Sequence, residues 1–169
     1  MRSQIYHLLE SFLLSIKDTE EQSIIQHIDV WNNQLAFAEE EQPFSTPAVF
    51  VEFAPISWKS QTRGVLDAEV DITLHIVTDS RVGKWKDSLQ VFDIIDKIPP
   101  VLARVRKIAP TYSIGSFTRI SSTSDHDHDE LQDNTEVYRV HVQQSYWHKK
   151  APSKGAFIVF VAIFNAEVY

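Results

Sequence analysis

A chain of 169 residues suits one domain with a substantial core, and 43% hydrophobic with 23% charged residues is ordinary for a globular protein. The lack of cysteine excludes disulfides, thiolate metal sites and a cysteine nucleophile. A formal net charge of −7 disfavours generic charge-driven binding of duplex DNA.

The first predicted element is an amphipathic helix. Ile5, Leu8, Leu9, Phe12, Leu13 and Ile16 recur at helical spacing on one face. Charge from Asp18 to Glu21 ends it. Ile24, Ile25, Ile28 and Trp31 form a shorter apolar set that reads as a turn or a strand, and Glu39–Pro47 as a polar loop. Ala48–Ala54 is rich in β-branched and aromatic residues and predicts a strand. Pro55–Gly64 is expected to connect it to the next one.

Leu66–Thr78 is the clearest strand of the chain. Leu66, Ala68, Val70, Ile72, Leu74 and Ile76 alternate with Asp67, Glu69, Asp71, Thr73 and His75. A period of two puts the first set on a core and the second toward water, which points to antiparallel pairing. After a turn at Val82–Trp85, a second helix is expected over about Lys86–Ile98, with Pro99 and Pro100 stopping or restarting it. Val101–Val105 can add a further turn. Ser113–Ser122 predicts a strand and Ser124–Asn134 a very polar loop. Thr135–Trp147 predicts another strand, with Tyr138, Val140, Val142 and Tyr146 on one face and Arg139, His141 and Gln143 on the other. A basic turn, His148–Gly155, leads to the apolar run Phe157–Phe164, read as a closing strand. The fold class that follows is α+β, a mostly antiparallel sheet flanked by two main helices. No internal repeat or long linker divides residues 1–169, so one domain is expected.

Nothing directs the chain to a membrane: His7 and Glu10 interrupt the apolar N-terminus, and Phe157–Phe164 is too short for a membrane helix. The four glycines, Gly64, Gly83, Gly115 and Gly155, are scattered, so no phosphate-cradling loop exists and no nucleotide cofactor is implied. The one cluster that could carry chemistry is His126, Asp127, His128, Asp129 and Glu130. Imidazoles two residues apart share a face in a strand and, with carboxylates, could bind a metal for a hydrolase. A solvated loop is the plainer reading, because no separated histidine set completes a site. No spacing marks a serine nucleophile. The residues point to a building block of an assembly, not an enzyme; a sheet-based ligand- or peptide-binding protein is the other alternative.

Charge is unevenly placed. Asp18–Glu41 carries seven carboxylates and no Lys or Arg, whereas Arg81–Lys107 carries Arg81, Lys84, Lys86, Lys97, Arg104, Arg106 and Lys107 against three aspartates. These are either two solvated surfaces or complementary partners across a subunit contact. Trp31, Trp58, Trp85 and Trp147 are candidates for core packing or for anchoring an interface. Phe157–Phe164 has no charge and no alternation, so both of its faces need cover, within the chain or from a neighbour. Trp85, Trp147, Phe157, Val159 and Val161 are thus the interface candidates. Asp67, Glu69 and Asp71 are expected to face solvent or a lumen.

Four stretches carry a family resemblance: Thr46-Pro47-Ala48-Val49-Phe50-Val51-Glu52-Phe53; the alternating strand Ala68–Thr78; Leu89-Gln90-Val91-Phe92-Asp93-Ile94-Ile95; and an Asp/His loop leading into Val137-Tyr138-Arg139-Val140-His141-Val142. In this order, behind an N-terminal helix, they resemble the tail-terminator (tail-completion) proteins of long-tailed phages and prophages over roughly residues 1 to 147. Phe157–Tyr169 departs from that pattern. The resemblance implies an α+β subunit of a homohexameric ring that caps the tail tube and meets the head connector or neck protein. It implies no enzyme activity and no cofactor, DNA only as passing cargo, and a place in the virion tail after assembly in the host cytoplasm.

Overall fold

The computed structural model describes residues 1–32, 44–61, 64–79, 88–125 and 131–145. They form, in chain order, α1 (Arg2–Leu13), β1 (His27–Val30), β2 (Ala48–Phe53), β3 (Lys59–Ser60), β4 (Val65–Asp79), α2 (Ser88–Leu102), β5 (Lys107–Ala109), β6 (Tyr112–Asp125) and β7 (Leu131–Ser145). One sheet runs β1-β2-β4-β7-β6-β5, with β3 hydrogen-bonded beside part of β4. β1 and β2 pair in parallel; the other pairings are antiparallel. The fold is α+β with a mostly antiparallel sheet.

The pleat sets the register. β4 and β7 pair from Val65↔Ser145 to Asp79↔Leu131 without a break. Ala68, Val70, Ile72, Leu74 and Ile76 therefore share a face with Tyr138, Val140 and Val142, and all are buried. A slip by one residue would turn three β4 carboxylates into this core. Both helices pack on that face. Ile5, Leu9 and Leu13 of α1, then Ile16, form one stripe; Val91, Ile94, Ile95, Ile98 and Leu102 of α2 form another. Tyr6 donates a hydrogen bond to the carbonyl of Ile28 at 3.2 Å, so α1 lies over the β1 side, and α2 meets β6.

Several elements differ from expectation. α2 continues through Pro99 and Pro100 to Leu102. Each proline removes one helical donor, but Ile98 and Leu102 are fully buried on either side and the turn still closes through Ala103 N to Pro99 O at 2.9 Å. Burial outweighs the two lost bonds. In the segment Ser124–Asn134, expected as a loop, the described residues are strand: β6 runs to Asp125 and β7 starts at Leu131, with Ser124 Oγ donating to Asn134 Oδ1 at 2.7 Å across the ladder. A partly buried cross-strand bond satisfies polar side chains that read as loop in isolation. The ambiguous set near Ile28 is strand β1, aligned by the parallel register His27↔Ala48 to Val30↔Val51. β3 lies inside the segment expected to be a connection, and β5 was not anticipated. The closing strand at 157–164 lies outside the described residues.

Candidate functional site

The face of the sheet opposite the helices carries the polar side chains of β4 and β7. Arg139 grips Asp71 with two bonds, Nε to Oδ1 at 2.7 Å and Nη2 to Oδ2 at 2.8 Å, and Glu69 lies 3.8 Å from its Nη1. Gln143 donates to Asp67 at 2.9 Å, and His141 Nε2 is 3.9 Å from the same carboxylate oxygen. The hydrogen bond from Arg139 outweighs burial and holds Asp71 below the usual carboxylate range. The three β4 carboxylates thus form a cross-strand ladder with β7 rather than a bare acidic strip. Glu69 is exposed; Asp67 and Asp71 are half-buried.

Farther along β4 the same face closes over, and His75 is buried instead of facing water or a lumen. Its Nδ1 is 3.2 Å from Asp133 Oδ2 and its Nε2 is 3.1 Å from Glu52 Oε2. Trp31 stacks flat on the ring, with centroids 3.8 Å apart and planes within 7°. Phe44 and Trp31 surround Phe50, which with Ala48 and Val77 forms a second, smaller apolar cluster. Pleat alternation alone does not show this cover, because Trp31 and Phe44 come from outside the strand. Burial opposes charge on His75, but the bonds and charges of Asp133 and Glu52 together win and raise its pKa above 6.5.

On the core face, Glu136 is fully buried opposite Leu74. Arg119 Nη2 and the Ser122 hydroxyl both donate to its Oε1, the first at 2.7 Å, and Arg119 Nε forms an ion-pair contact with Oε2, which accepts no hydrogen bond. Next to it the phenol of Tyr138 is buried without a hydrogen-bond partner, and burial, reinforced by the charge of Glu136, pushes its pKa well above the usual tyrosine value.

The open face ends at β5 and β6 in a depression of about 590 Å³. Arg106, Ile108, Ser116, Thr118, Ile120 and Arg139 are among its walls. Ile108 is 85% exposed and Ile120 48%. A bulge between Ile114 and Phe117 shapes its floor; a Cβ on Gly115 there would sit 3.2 Å from the carbonyl oxygen of His141.

Of the other sequence candidates, Trp58 packs against the main core and Trp31 covers His75. Trp85, Trp147, Phe157, Val159 and Val161 lie outside the described residues, as do His126 and His128. Among the described residues no three His, Asp or Glu side chains are arranged to hold a metal ion, and no helix is long and apolar enough to cross a membrane.

No family model matches the chain, and no curated protein matches it. Among solved structures, a chain of a particle described as the virion of a native gene transfer agent is similar at 12% identity, over 70% of this chain and 78% of that chain, with a TM-score of 0.47.

Proposed function

We propose that this protein is a structural subunit of a phage or prophage tail, forming a ring that terminates the tail tube and joins it to the head or neck. One observation carries the reading. The stretches that resemble tail-terminator proteins are not scattered in the fold: they make β2, β4 and β7, three adjacent strands, and much of α2, whose apolar stripe packs on them. They therefore form one connected unit, the centre of the sheet with its cover, which is what a shared architecture would preserve.

In this reading the partners are other copies of the chain, the tube protein and the neck protein, with DNA passing through. The ladder of Asp67, Glu69 and Asp71 faces either the lumen or the outside of the ring. In a lumen, its carboxylates set against Arg139 would give DNA little net charge to hold on to. Trp85, Trp147, Phe157, Val159 and Val161 are proposed for contacts between subunits. The experiment is to add the purified protein to growing tail tubes and follow tube length by electron microscopy. Capped tubes of uniform length, with a ring at one end, are expected; tubes that grow unchanged and carry no ring refute the proposal.

A further inference from the structure

The sheet ends on an uneven edge. β5 pairs only with the start of β6, Lys107–Ala109 against Tyr112–Ile114. Beyond it, Phe117–Ser124 is bonded to β7 on one side and, among the described residues, to no strand on the other. Thr118 through Ser124 are all exposed. The outward backbone groups of such an edge are a template for another strand. Apolar side chains are left exposed on both sides of the sheet: Ile108 and Ile120 on the open side, and Phe92 of α2, the helix that meets β6, on the helix side.

The chain carries a segment that fits this edge. Phe157–Phe164 is apolar at every position and equal in length to Phe117–Ser124. A strand of this kind needs cover on both faces. β7, which precedes it, ends beside the edge: Ser145 donates its N–H to the carbonyl of Thr111, in the turn between β5 and β6, at 2.8 Å. From there the free edge at Phe117 lies about 10 Å away across two strand spacings and about 14 Å along the ladder, from the Gln144 row to the Val140 row. Residues 146–156 reach roughly 35 Å when extended, which is ample.

We infer that Phe157–Phe164 pairs with the free edge of β6 in its own chain, alongside Phe117–Ser124, as the outermost strand of the sheet. The shortest path brings Phe157 to the Phe117 end first, so the added strand runs parallel to β6. The tether favours this over the same segment of another copy, because it holds the strand at an effective concentration of about millimolar. Phe157, Val159 and Val161 then share one face of the outermost strand, where a neighbouring subunit can reach them. The pairing itself does not depend on the ring reading.

The lack of native cysteines makes disulfide mapping direct. Thr118→Cys is combined in turn with Phe157→Cys, Ile158→Cys and so on to Phe164→Cys, and the products of mild oxidation are read by peptide mass spectrometry. Side chains opposite each other in paired strands sit about 5 Å apart, within disulfide reach. Cross-links within one chain are expected at alternate positions, because successive residues point to opposite faces. No coupling, or equal coupling at every position as from a loose tail, refutes the pairing. So does coupling only between chains, in a mixture of isotopically labelled and unlabelled protein, which gives the edge to a second copy. Hydrogen exchange on the full chain supplies an arm that leaves β6 unchanged. Val159→Pro/Phe160→Pro removes two adjacent donors and breaks the added strand, whichever of the two faces β6. It should speed exchange of the outward amides of Thr118–Ser124 roughly tenfold or more, with the amides bonded to β7 unaffected. Unaltered exchange along the whole of β6 overturns the inference. None of these readouts depends on whether rings form.

Discussion

When protonated, His75 bridges β2 and β7 through Glu52 and Asp133 beneath the Trp31 ring, an arrangement that favours the imidazolium twice, by hydrogen-bonded charge and by the π face. Its folded pKa lies above 6.5. The stability this contributes is complete below the ordinary histidine value and is lost as pH rises through the raised one. Denaturant midpoints measured from about pH 6 to about pH 8.5 should therefore fall, and His75→Gln should flatten that fall. An equal slope in the variant would show that another group sets the dependence. Two neighbouring positions on β4 should separate its faces. Ile72 is fully buried, so Ile72→Asp should abolish the cooperative thermal transition, whereas Asp71→Asn, on the half-buried ladder, should keep native circular dichroism and cooperative unfolding.

The β6–β7 hairpin places a full charge inside the core face. Arg119→Leu would leave the Glu136 carboxylate buried with only the Ser122 hydroxyl, at a cost of about 3–5 kcal/mol in unfolding free energy. Arg119→Leu/Glu136→Leu should recover most of that. If the single and double variants are equally unstable in urea, the pair is not what the hairpin depends on. This element also shows what the sequence made legible. The alternations Leu66–Ile76 and Tyr138–Val142 read directly as buried and open faces, because each strand carries its own period. Glu136 falls on the buried side of the same alternation, yet nothing local reveals that Arg119, a strand away, makes its burial tolerable. His75 went astray for the same reason, since its cover comes from Trp31, Glu52 and Asp133 on other elements. The short strands β1, β3 and β5 carry too few residues to show a period; pairing with a longer neighbour creates them. The depression at β5 and β6 depends on a bulge, and bulges are visible only once a partner strand is in place.

At the scale of the whole fold, the described residues make one sheet with both helices on one face, acidic at the α1–β1 turn and basic at β5. Attraction between exposed patches of opposite sign is screened by salt. Light scattering over a concentration series should show a mass that rises with protein concentration and falls as sodium chloride is added. Salt-independent association would point instead to apolar contacts. A mass that stays monomeric at every concentration, together with absence from assembled tails, would refute the ring.

The ladder between β4 and β7 has a kinetic consequence. It is the spine of the sheet, yet it joins Val65 to Ser145 and Asp79 to Leu131, with α2, β5 and β6 all lying between the two strands in the chain. Closing so large a loop costs entropy before any core contact can repay it, and folds dominated by such distant pairings are slow. During synthesis, α1, β1, β2 and β4 leave the ribosome long before the strand that completes their sheet. Until Ser145 emerges, the long edge of β4 stays open, and the nascent chain is at its most exposed to pairing with the wrong strand.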